Sequence, residues 1–125
     1  MPSFNITPDD PQPFGFKINW LALRTPDPGA VVDALELREA TPANWESGLA
    51  AVYDSKRDDA WVFVSPPIGN WVLAASWCLP YPTVQSHDDA GRKFDGLFSH
   101  LMKRFDDVQF YGSHRVVDFV AWARA

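Results

Sequence analysis

The chain has 125 residues, of which 46% are hydrophobic and 22% charged, the balance of one soluble globular domain and not of a disordered segment. Its formal charge of −5 argues against a general affinity for nucleic acid, which needs Lys and Arg to neutralise phosphates. One cysteine excludes an internal disulfide, no stretch approaches the ~20 apolar residues of a membrane span, and the N-terminus lacks a signal-peptide pattern, so the expected compartment is the cytoplasm.

Residues 1–13 carry four prolines and Asp9-Asp10 and read as a flexible leader, with 14–125 as the single domain. Phe14 to Arg24 reads as the first strand, with Ile18, Trp20 and Ala22 on one face and Lys17, Asn19, Leu21 and Leu23 on the other. Thr25-Pro-Asp-Pro-Gly29 then turns into a short helix. Asp27 is placed to cap it and Pro28 to occupy its first position, where the missing N–H is no loss. A second helix is expected from near Thr41-Pro42, with Trp45, Leu49, Val52 and Tyr53 at helical spacing. Gly48 and Ala50-Ala51 would permit a close crossing there.

Asp59 to Pro80 reads as two strands around a Ser65-Pro-Pro-Ile-Gly-Asn70 corner. The prolines stop ladder pairing, and Gly69-Asn70 tolerates positive φ. Neither strand has a charge between Trp61 and Leu79, so both faces are expected to be covered, and the pair is expected to form the middle of the sheet. Alternation sets Trp71, Leu73, Ala75, Trp77 and Leu79 on one face, with Val72, Ala74, Ser76 and Cys78 on the other. Cys78 reads as a buried, unreactive thiol.

The strongest helical signal starts near Ser86 or Asp88. Phe94, Leu97, Phe98, Leu101, Met102 and Phe105 recur at i, i+3, i+4, i+7, i+8 and i+11. Val108–Tyr111 and Arg115–Ala123 complete the pattern as a hairpin around Gly112-Ser-His114. The last strand either lies deep in the sheet or forms an edge that needs covering. The expected fold is α+β: a largely antiparallel sheet of about five strands with about three helices, in the order β-α-α-β-β-α-β-β.

Chemical motifs are thin. His87 with Asp88 and Asp89 admits a metal or general-base reading, but a capping aspartate beside a surface histidine explains the same letters. No His or Cys spacing suits a metal, no Gly-rich phosphate loop or G-x-S-x-G is present, and no cofactor is implied.

The segments NWLALRTPDPGAVVDALEL, ANWESGLAAVYD, VFVSPPIGNWVLAASWCLP and YGSHRVVDFVAWARA resemble a family of small bacterial proteins associated with accessory and immunity genes of polymorphic-toxin and secretion loci. The resemblance covers most of residues 17–125 and carries over no functional residue. It implies an immunity-type protein that neutralises a toxin by stoichiometric binding; the acidic charge suits a basic toxin, and the thin chemical motifs favour binding over an enzyme. From exposure, the expected contacts are Asp54, Arg57, Asp58 and Asp59 in a polar loop, with Tyr81, His87, Asp88 and Asp89 beyond the second central strand. The alternative is a small enzyme or ligand-binding domain with an aromatic pocket reached by Tyr111, His114 and Arg115.

Overall fold

The alternating apolar pattern around Asn19–Arg24 becomes, in the computed structural model, the middle strand (β1) of five. The structure describes residues 4–12, 14, 18–54, 60–76, 79, 89–114 and 117–124, with backbone alone for 89–92, 113–114 and 117–124. After β1 come α1 (Pro28–Ala34), α2 (Trp45–Asp54), β2 (Phe63–Val64), β3 (Trp71–Ser76), α3 (Asp89–Arg104), β4 (Asp107–His114) and β5 (Val117–Arg124). The strands lie in the order β2-β3-β1-β4-β5, and every pairing is antiparallel. The domain is α+β, with three helices.

The two strands of the 59–80 stretch are not the middle of this sheet. β1 takes β3 on one side and β4 on the other, while β2 pairs only with β3 and forms an edge. The expected cover on both faces is present, because helices lie on both sides of the sheet. On one side Leu21, Leu23, Val72, Ala74, Val108 and Phe110 pack against Val31 and Ala34 of α1 and Phe94 and Leu101 of α3. On the other, Ile18, Phe63 and Ala75 pack against Trp45, Leu49 and Val52 of α2. Each large side chain buried in this way contributes roughly 1.5–3 kcal/mol. Leu79 joins the α1/α3 side, against strict alternation, because β3 ends at Ser76 and the pleat no longer dictates direction. Cys78 and Trp77 lie outside the described residues.

Three other boundaries differ from the sequence reading. β1 begins at Asn19 and not at Phe14. α2 begins at Trp45, because Asn44 is its cap: the Asn44 side-chain oxygen accepts from the Ser47 N–H at 2.9 Å, and the first helical bond runs from Gly48 N–H to the Asn44 carbonyl. Gly112, Ser113 and His114 are not a turn but the end of β4. Gly112 stands opposite Asn19, and an added Cβ would approach Asn19 Oδ1 to 2.7 Å. The glycine therefore makes room for a buried amide whose Nδ2 donates to the Leu79 carbonyl at 3.0 Å. The last strand, β5, is the second edge.

The Ser65–Asn70 corner ends the β2–β3 ladder as its prolines require. Ser65 N–H still reaches the Leu73 carbonyl at 2.8 Å, and Ile68 and Trp71 exchange backbone bonds around Gly69, whose φ is +61°. Between those two pairings the chain gains a residue, a bulge. There the Ser65 hydroxyl replaces the displaced backbone, accepting from Leu73 N–H at 2.9 Å and donating to the Pro66 carbonyl.

Candidate functional site

A concavity among the described residues begins with the way α1 is stopped. Asp27 caps the helix by accepting from Gly29 N–H at 2.9 Å, and Pro28 follows, as expected. At the other end Glu36 N–H bonds the Asp33 carbonyl and Leu37 N–H bonds the Val32 carbonyl. That six-to-one closure needs a left-handed residue, usually glycine, and Glu36 supplies it at φ 54°. Glu39 repeats the left-handed conformation at φ 53°. Each costs about 1 kcal/mol for a residue with a Cβ. Together they swing residues 37–43 away from the helix, so that this segment becomes a separate wall.

The extended run 60–64, which contains β2, lines the same concavity. α1 contributes Pro28, Gly29 and Val32 to it and α2 contributes Gly48 and Ala51. The result is a cleft of about 380 Å³, within the range of small ligand sites. Its lining is largely small or aliphatic, and its charged members are Arg38 and Glu39. Gly48 lets α2 pack directly on the Phe63 ring, since an added Cβ would overlap that ring. Phe63 is in turn tilted against Trp45, with centroids 5.2 Å apart.

The leader contributes to the same region. Asp9 accepts from Trp45 N–H at 2.7 Å through one oxygen and from Glu46 N–H at 3.0 Å through the other. Helices leave their first N–H groups unpaired and carry a positive dipole end there, so a carboxylate is well suited to that position. The Asn5 carbonyl accepts from Asn44 N–H, and Asn44 Nδ2 donates to the Thr7 carbonyl. Phe4 then meets Trp61 edge-on at 5.0 Å and closes one end of the cleft.

Few of the residues singled out from sequence lie here. Asp54 is the exposed last residue of α2, and Asp89 is the first residue of α3. Arg57, Asp58, Asp59, Tyr81, His87, Asp88 and Arg115 lie outside the described residues; Asp59 directly precedes the cleft residue Ala60. Tyr111 is absent from the cleft lining. It stacks on its cross-strand partner Trp20 at 4.3 Å, and its hydroxyl donates to Gln109 Oε1. His114 is the last residue of β4. Among the described residues no group of three or more His, Cys, Asp or Glu side chains is gathered as metal ligands would be, and no helix is long and apolar enough to cross a membrane.

Sequence reasoning missed Phe4, Val32, Arg38, Glu39, Val62 and Val64 as cleft residues. One signal was available. Residues 1–54 hold eight acidic and three basic side chains, whereas 55–125 hold eight of each, so the whole net charge falls in the segment that builds α1, α2 and the 37–43 wall. Asp27, Asp33, Glu36, Glu39, Glu46 and Asp54 are all exposed on those elements.

Fold and cleft together define an antiparallel α+β domain with helices on both faces and an open, largely apolar slot at one sheet edge. No protein-family model, curated protein or solved structure matches the chain.

Proposed function

We propose that the protein is a cytoplasmic binding module of the immunity type, which neutralises a cognate basic toxin by stoichiometric association. The observation that carries this reading is the cleft itself, an apolar slot beside an unshared sheet edge, lined mostly by residues of the 1–54 segment that holds the net negative charge of the chain. An apolar centre with a charged rim is how protein interfaces concentrate energy and speed encounter. The two left-handed glutamate-bearing turns support it too, because backbone strain of this kind tends to be kept where it shapes a site.

The test is co-expression with the product of the adjacent reading frame. A one-to-one complex in size exclusion with light scattering, together with relief of that product's growth inhibition, is the expected result. The Glu36→Lys/Glu39→Lys double variant should bind at least 10-fold more weakly. Equal growth inhibition with and without this protein would remove the immunity reading. A His114→Ala variant that lost a catalytic turnover while folding normally would transfer the function to the enzyme alternative.

A further inference from the structure

Resting on that binding reading, we infer that the cleft takes an extended, lysine- or arginine-flanked segment of the partner protein, which adds to the sheet as a strand along the outer edge of β2. In an antiparallel ladder, residues alternate between those whose backbone groups point to the neighbour and those whose groups point away. Ser65 N–H bonds the Leu73 carbonyl, so Ser65 and Phe63 face β3, and the N–H and C=O of Val62 and Val64 point to the other side. Both valines line the cleft, so its long wall is a hydrogen-bonding edge as well as an apolar surface.

A rigid compact ligand would leave that row of backbone groups unused, whereas an extended chain satisfies it, as in strand-addition complexes. Residues 37–41, which also line the slot, belong to no helix or strand. The small lining residues Ala40, Ala43 and Ala60 leave room for side chains of the added strand to point inward. Charge selects the flanks. Glu39 in the lining balances Arg38, exposed Glu36 directly precedes the 37–41 stretch, and residues 1–54 hold the net negative charge of the chain, so basic flanks suit the segment better than acidic ones.

The probe is the acetylated, amidated peptide KKVTVAVTKK, titrated into the 15N-labelled full chain. Its binding should shift the amides of 60–64 and 37–41 and slow exchange of the Val64 amide at least 10-fold. The glutamate-flanked peptide EEVTVAVTEE should bind at least 10-fold more weakly, and a version N-methylated at alternate positions should not bind. Absence of shifts at 60–64, equal binding of the N-methylated peptide, or equal binding of the glutamate-flanked one overturns the proposal. A second arm uses the cognate protein with Ala40→Trp, an exposed substitution that fills the slot. At least a 100-fold loss of affinity with unchanged thermal unfolding is expected. If the partner binds wild type and Ala40→Trp equally, strand addition falls and the binding reading stands; if it binds neither, the binding reading falls with it.

Discussion

Two helical glycines of this chain have opposite surroundings. Around Gly96 an added Cβ would meet nothing within 4 Å, whereas at Gly48 it would strike the buried Phe63 ring. Glycine lowers helix stability by about 1 kcal/mol relative to alanine. Gly96→Ala is therefore expected to stabilise by about 0.5–1 kcal/mol. Gly48→Ala should destabilise by about 1–3 kcal/mol, because overpacking outweighs the propensity gain. Urea midpoints moving in opposite directions would check the pair, and a rise for Gly48→Ala would show that Phe63 can retreat. Ser65 is a second decisive position. Its buried hydroxyl is the acceptor for a part-buried strand N–H at the bulge, so Ser65→Ala should lose about 1 kcal/mol, the typical net value of a hydrogen bond. Wild-type stability in that variant would mean the Leu73 N–H has found another acceptor.

At the level of elements, α2 depends on a residue 36 positions upstream of it. Its first two N–H groups are held by Asp9 and its third by Asn44, so the helix start is satisfied by a residue far upstream together with its own cap. Asp9→Ala is expected to lower stability by about 1–2 kcal/mol through the combined loss of cap and dipole interaction. Asp9→Asn should retain part of it, having one acceptor and no charge. Thermal unfolding of the two variants orders them, and equal stabilities for wild type and Asp9→Ala would show that solvent serves that helix end as well. The Thr41-Pro42 pair looked like the start of this helix because threonine followed by proline matches the cap pattern. Asn44 won because its amide oxygen reaches the third N–H while its own carbonyl begins the helical ladder.

The whole molecule has two cores on opposite faces of the same sheet. Leu21 and Leu23 point to the α1/α3 side and Ile18 to the α2 side, all buried. Losing either core exposes the other face of the same backbone, so unfolding should be one cooperative transition. Ile18→Ala and Leu21→Ala should each cost about 2–5 kcal/mol and move that same transition. Coincident tryptophan fluorescence and far-UV circular dichroism curves are the check, and a split transition in either variant would show that the two cores melt separately.

Element order and class were legible because hydrophobic period and turn residues act locally. Asp27-Pro28 at the start of α1, the apolar stripe of α3 and the Gly69 turn were all readable in this way. Strand order was not, since a strand apolar on both faces reads alike whether it is central or merely covered; that misplaced the 59–80 pair. Gly112 looked like a turn residue because the letters do not show that a distant Asn19 side chain occupies the space of its Cβ. The cleft was hidden for the same reason. Its walls come from 4, 28–32, 37–43, 48–51 and 60–64, segments that chemistry does not mark and that only packing brings together. What the letters alone determined was the set of local conformations, together with the acidity of residues 1–54. Which strand lies at the edge, which acid caps α2 and where a slot opens were decided by long-range burial, whose free energy depends on contacts between residues far apart in the chain.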